Sequence, residues 1–178
     1  MKNKVIEIDE NTVGIVIDSP KHGEKICIID REDLGRVSAF ENWCAWGHEG
    51  YTSYAMSKIG YAYTGFQSNV LIHRLVMSFP LSQIDHINGN GMDNRKTNLR
   101  CATNSENMRN RKRTIGSSAY RGVCRRKGAI SNPWVAYARE NSRLKYLGVY
   151  PDEKSAAKVY NEYIRNNYGD FASLNPID

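Results

Sequence analysis

Over the first 70 residues the apolar positions come in short β-branched runs rather than at helical spacing, which predicts strands. Thr12 to Ile17 and Lys25 to Ile29 are two such runs, separated by the turn-forming Ser19-Pro20-Lys21-His22-Gly23. Arg31-Glu32-Asp33-Leu34 starts a short helix, and Trp43 to Trp46, Tyr61 to Phe66 and Asn69 to Ile72 are further strands. His73 to Phe79 reads as a short helix stopped by Pro80. A strand over Ile84 to Ile87, a turn-rich stretch to Asn98, and a returning strand Leu99-Arg100-Cys101-Ala102 make a hairpin with a long loop. Thr103-Asn104-Ser105-Glu106 then has the form of a capping box, in which the Thr and Glu side chains satisfy the first free amides of a helix. That helix runs into the basic Arg109-Asn110-Arg111-Lys112-Arg113.

The pattern restarts after Thr114 to Ser118, which has Gly and two Ser and no apolar periodicity. Tyr120 to Cys124, Trp134 to Arg139 and Leu144 to Val149 read as three strands, with a turn from Arg139 to Arg143. Pro151-Asp152 opens a helix whose buried face is Ala156, Tyr160, Tyr163 and Ile164, and Gly169 ends it. The expected class is therefore α+β. Its parts are a β-rich region 1–69, a strand–strand–helix core 70–113, a linker 114–118, and a three-stranded antiparallel sheet with one helix over 119–176.

The chain has 178 residues, 40% of them hydrophobic, which suits a folded protein rather than a disordered one. No apolar run is long enough to span a bilayer and no signal-peptide pattern opens the chain, so the expectation is a cytoplasmic protein with no membrane partner. Cys27, Cys44, Cys101 and Cys124 form no CxxC pair, and His22, His48 and His73 do not stand at zinc-ligand spacing from them. Free thiols in a reducing compartment are expected. Charge changes the picture more. From Arg95 to Lys127 there are eleven Lys or Arg and one acid, Glu106, a net of +10, which leaves −4 for the rest of a chain whose total is +6. A mildly acidic body with one dense basic segment points to nucleic acid. Candidate DNA contacts in and beyond that segment are Arg100, Arg109, Arg111, Lys112, Arg113, Arg125 and Arg143.

Candidate chemistry lies in Ile84-Asp85-His86-Ile87-Asn88-Gly89-Asn90, closed by Asn98 and Asn107. Asp85 offers a carboxylate oxygen and Asn107 an amide oxygen, hard donors suited to one Mg²⁺ or Mn²⁺ rather than zinc. Neighbouring residues on a strand point to opposite faces, but at a strand end His86 and Asp85 can serve one site. An imidazole titrates near neutrality, so His86 can take a proton from an attacking water. A calcium loop of the EF-hand kind is excluded, because Ile87 and Gly89 stand where oxygen donors are required. Taken singly, a histidine on an apolar strand is usually a core residue and Asn-Gly-Asn usually a turn.

Together, Ile72-His73-Arg74-Leu75-Val76, Asp85-His86-Ile87-Asn88-Gly89-Asn90, Asn94-Arg95, Asn98-Leu99-Arg100 and Asn104-Ser105-Glu106-Asn107 resemble the HNH endonucleases, more narrowly the phage and intron-encoded homing type whose motif reads His-Asn-Asn. The resemblance covers roughly residues 70 to 112. It implies a ββα-metal core, metal-dependent cleavage of double-stranded DNA, His86 as general base, Asp85 and Asn107 as metal ligands, and Asn98 as the residue that braces the long turn and orients the base. The second half resembles the AP2 DNA-binding domain through Tyr120-Arg121-Gly122-Val123, Trp134-Val135-Ala136, Tyr146-Leu147-Gly148-Val149-Tyr150, Ala156-Ala157-Lys158-Val159-Tyr160 and Gly169-Asp170-Phe171-Ala172-Ser173-Leu174-Asn175. That resemblance implies a sheet laid in the major groove, with Arg121, Arg126, Arg139 and Tyr146 touching DNA. Cys124, Tyr137 and Leu144 depart from the plant pattern, so a different target is expected. The combined expectation is a site-specific endonuclease, monomeric and without a protein partner. The alternatives are a catalytically inactive DNA-binding regulator and, with no recognisable module to support it, an RNA-binding protein.

Overall fold

The computed structural model describes residues 1–21, 23–48, 52–59, 68–110 (at 109 the backbone alone), 117–128, 131–140 and 143–177. The expected strand from Tyr61 to Phe66, and Arg111, Lys112 and Arg113, lie outside the described residues. Contacts divide the chain into two compact units, Met1–Asn107 and Met108–Asp178.

In the first unit β1 (Val5–Glu7), β2 (Thr12–Ile17) and β3 (Lys25–Asp30) form an antiparallel meander. Val13, Ile15 and Ile17 of β2 and Cys27 and Ile29 of β3 are fully buried, at the two-residue spacing that sends one strand face into a core. A 3-10 turn (Arg31–Asp33) leads into α1 (Leu34–Ser38). A second antiparallel sheet follows, of β4 (Cys44–Trp46), β5 (Tyr54–Ile59) and β6 (Ser68–Leu71). The sequence pattern did not predict β5 or β1. Trp43 is buried and donates its indole N–H to Val37 O at 3.1 Å, which gives its one polar atom a partner.

The helix expected over 73–79 is shorter: α2 is Ile72–Val76. Ser78 and Phe79 take left-handed φ of 57° and 54°, which ends the helix before Pro80. Arg36 reaches the freed carbonyl of Leu75 at 2.7 Å. Then comes the hairpin β7 (Gln83–His86) and β8 (Leu99–Ala102), with Asp85 opposite Arg100 and His86 opposite Leu99. α3 (Asn104–Asn110) has the expected capping box: Thr103 N–H donates to Glu106 Oε2 at 2.7 Å and Glu106 N–H to Thr103 Oγ1 at 3.3 Å.

One hydrophobic cluster runs from Val13 through Ile72 to Ile84, Met92 and Leu99, so the expected boundary between residues 69 and 70 falls inside a shared core. The long hairpin loop is stitched to β3. Ile28 N–H donates to Met92 O at 2.8 Å, Asn94 N–H to Ile28 O at 2.7 Å, and Lys96 N–H to Asp30 Oδ2 at 2.8 Å. Gly91 lets the same loop lie on β5, since a Cβ there would meet Ser53 O at 2.5 Å and the Tyr54 ring at 2.6 Å.

In the second unit β9 (Val123–Arg125), β10 (Trp134–Glu140) and β11 (Arg143–Tyr150) form an antiparallel sheet in the order β11-β10-β9, packed against α4 (Glu153–Tyr168). Ala136 and Ala138 on the sheet and Ala156 and Ala157 on the helix are all buried, and these small side chains allow close approach. Tyr160 and Ile164 complete the helix face, while Tyr163 is half-buried. Asp152 caps α4, accepting Ser155 N–H at 2.8 Å, and Gly169 closes it. The first strand starts at Val123 rather than Tyr120. Gly122 sits at φ +72° with no room for a Cβ against the Tyr160 ring, and Arg121 is held through its N–H (2.6 Å) and C=O (3.0 Å) by the Asn175 amide instead of a strand partner.

Candidate active site

His86 is the last residue of β7 and is buried. Its surroundings come from three parts of the first unit. The His73 ring lies edge-on with centroids at 5.2 Å, the Tyr54 ring at 5.7 Å, and Asn94 Oδ1 stands 3.2 Å from His86 Nε2. The Asn94 amide is itself oriented, because its Nδ2 donates to Cys27 Sγ at 3.2 Å and to Gly91 O at 3.3 Å. Its oxygen therefore faces the ring. His86 Nε2 must carry the proton, and Nδ1 is the basic nitrogen, an assignment that follows from the hydrogen-bond network. Burial pushes the imidazole below its ordinary pKa, while the Asn94 bond and the charges of Asp85 and Asp93 act the other way. A ring held neutral near pH 7 is the form that accepts a proton.

Asn98 ends a 3-10 turn (Lys96–Asn98) and is buried. Its Oδ1 accepts Asn88 N–H at 3.0 Å, its Nδ2 donates to Asn88 Oδ1 at 3.0 Å and Asp93 O at 2.8 Å, and its carbonyl accepts Ile87 N–H at 2.9 Å. One amide thus spans the loop that follows His86. Asp93, also buried, is gripped through both oxygens by Arg95 at 2.8 and 2.7 Å, which holds its carboxyl below the usual range. Asn88 Nδ2 adds a bond to it at 2.9 Å.

Asp85 is buried, and both Nε (2.9 Å) and Nη2 (2.7 Å) of Arg100 reach its Oδ2. Asn107, in α3, donates Nδ2 to Gln83 Oε1 at 2.9 Å. Gln83 and Asp85 are two apart on β7 and share a face. The Asn107 amide therefore lies against the hairpin face that carries Asp85. Among the described residues no three His, Cys, Asp or Glu side chains converge on one point. A carboxylate and an amide nonetheless fit a magnesium-like ion, which takes few protein oxygens and fills its shell with water and phosphate.

The basic run is less uniform than its charge count. Arg95 pairs with Asp93, Lys96 with Glu32 and Asp33, and Arg100 with Asp85, so its first three members are neutralised within the fold. The side chain of Arg109 is not described. In the second unit Arg125, Arg126, Arg139, Arg143 and Tyr146 are exposed and Arg121 is half-buried. Tyr146 stands opposite Tyr137 with ring centroids at 5.8 Å, and Arg139 opposite Leu144. Sequence reasoning placed none of His73, Tyr54, Asn94 and Asp93 at the site. His73 and Asn94 sit inside the quoted motifs, which was a signal. Tyr54 reaches the site from a strand that the pattern did not predict.

Residues 80–109 match the family model described as HNH endonuclease, a span that takes in β7, the long loop, β8 and most of α3. A protein of Acanthamoeba polyphaga mimivirus named as an uncharacterized HNH endonuclease is 25% identical over 155 residues, covering 82% of this chain and 80% of its own length. No solved structure matches. The matched segment is thus similar to the HNH endonucleases, a likeness that supports a nuclease.

Proposed function

We propose that the protein is a metal-dependent DNA endonuclease whose first unit cuts and whose second unit supplies recognition. The observation that carries this reading is the oriented, neutral His86 beside Asp85, inside the segment matched as HNH endonuclease. His86 Nδ1 takes the proton from a water that attacks phosphorus, and Asn94 keeps the ring in the productive tautomer. Asn98 holds the loop rigid behind it. Asp85 and the Asn107 amide oxygen would hold Mg²⁺ or Mn²⁺, whose charge stabilises the phosphorane-like transition state and the departing 3′ oxygen. The exposed arginines and Tyr146 on the second unit would contact the duplex, as the AP2 resemblance suggests, and a homing-type role follows the same resemblance. Backbone contacts position the cutting unit, and base contacts from the sheet would select the site.

A supercoiled-plasmid assay tests the reading. Nicked or linear product is expected with Mg²⁺ or Mn²⁺ and none after chelation. The Arg100–Asp85 pair favours one rival, a DNA-binding protein that no longer cuts. Absence of product with any divalent metal would establish that rival.

A further inference from the structure

Resting on the assignment of Asp85 as a metal ligand, we propose that Arg100 is a built-in counter-cation that occupies this carboxylate until metal and DNA phosphate arrive together. The Asp85 side chain is 4% exposed and that of Arg100 16%, so the pair is largely removed from water. A carboxylate so placed is costly without a positive partner. The register fixes that partner, because Arg100 stands directly opposite Asp85 across the hairpin. An ion arriving at Asp85 meets a guanidinium whose nearest nitrogen is 2.7 Å from Oδ2. The two positive charges compete for one carboxylate, and the ion binds weakly while Arg100 stays.

A phosphodiester changes that balance. It is anionic, it would share the same ion, and it matches the planar fork of donors that Arg100 presents. Arg100 turning from Asp85 to the phosphate frees the carboxylate for the ion and adds a contact to DNA. Metal and DNA then each strengthen the binding of the other, as linkage requires. The arrangement would keep the isolated protein poorly loaded and complete the site on its substrate.

Mn²⁺ alone, titrated into the full chain and followed by the electron paramagnetic resonance of the free ion, tests this. Arg100→Gln should bind Mn²⁺ on the order of 10-fold tighter than wild type. It should also melt lower without metal and gain more in melting temperature from Mn²⁺ than wild type does. Asp85→Asn should lose the Mn²⁺ site. An Arg100→Gln protein with unchanged or weaker Mn²⁺ affinity, where Asp85→Asn has lost it, overturns the counter-cation and leaves the ligand assignment standing. Asp85→Asn binding Mn²⁺ like wild type overturns the ligand assignment and the inference with it. If Arg100→Gln does not fold, Arg100→Lys replaces it. Lysine keeps the charge but not the fork, so an intermediate gain in affinity is expected and an unchanged one overturns the proposal. In a His86→Ala background, which prevents cutting, Mn²⁺ should tighten binding of a mixed-sequence duplex several-fold with Arg100 present and not with Arg100→Gln. Equal tightening in both contradicts the coupling.

Discussion

The two units bury different things. Of the eleven described polar or charged residues that are buried, ten lie in Met1–Asn107, and Asn175 alone lies in the second unit. Burying a polar group costs free energy unless each of its hydrogen-bonding atoms finds a partner. The first unit accepts much of that cost around one hairpin, where Asn94 orients His86 while Asn88 and Asn98 hold Asp93. The second unit buries alanines, Val123, Tyr160 and Ile164 and leaves Arg125, Arg126, Arg139 and Arg143 in solvent. An interior polar network suits chemistry, which needs fixed groups of tuned basicity. An apolar core under a charged sheet suits a platform, whose contacts form only with the partner.

The largest test of that contrast is His86→Ala. General-base catalysis is worth roughly 10²–10⁴-fold in rate. Plasmid cleavage should fall by that amount, while duplex affinity, measured by anisotropy, should stay within about twofold. A rate near wild type would remove His86 from the chemistry and leave the polar interior without its proposed use.

Acid comes next, because all four histidines, at 22, 48, 73 and 86, lie in the first unit. Burial, with the His86 and Arg74 charges, depresses His73 to about 3. In the unfolded chain it titrates near 6.5. Between those values the unfolded chain binds the extra proton, so stability is fully present above 6.5 and is lost as pH falls towards 3. From pH 7 to pH 5 the loss is about 2 kcal/mol. His73→Phe keeps a ring beside Tyr54 and His86 and removes the titration. Hydrogen exchange should show β2 amides losing protection in acid in wild type and less so in the variant, with β10 amides alike in both. Parallel behaviour of β2 and β10 would break the comparison.

Local chemistry explains what the sequence made legible. The capping box at Thr103 and Glu106, the Asp152 cap and the β-branched run of β2 each depend on residues within a few positions of one another. The hairpin was legible because Ile84 and Leu99 carry its apolar face between turn residues. What stayed hidden is long-range. Cys27 meets Asn94 across 67 positions, and Trp43 meets Asn3 across 40. Tyr54 reaches His86 through a strand of mixed composition, Tyr-Ala-Met-Ser-Lys-Ile, with weak alternation. The Arg100–Asp85 pair was hidden for another reason: a charge count assigns every arginine to solvent or to DNA and cannot see which one a buried carboxylate has taken.

The smallest expected effects belong to the second unit, and they separate two ways in which the proposed platform would hold DNA. Arg139 and Tyr146 are exposed on neighbouring strands, each beside an exposed or half-buried partner, Leu144 and Tyr137. Removing one stacked or phosphate-bound side chain costs about 1 kcal/mol or a little more, roughly a tenfold rise in Kd. If Arg139 meets a phosphate, Arg139→Ala weakens all duplexes alike and lowers the slope of log K against log salt by about 1. If it reads a base edge, the slope stays and the loss depends on sequence, by roughly 1–3 kcal/mol at its position. Tyr146→Ala should weaken binding without changing the slope in either case, since a phenol carries no charge to exchange for counterions. Cleavage at saturating DNA should be unaltered in both variants, because neither residue belongs to the unit that holds His86. Unchanged affinity in both would move DNA recognition to the first unit, where Arg95 and Arg100 are already paired, and would leave the exposed sheet without the role its charge suggests.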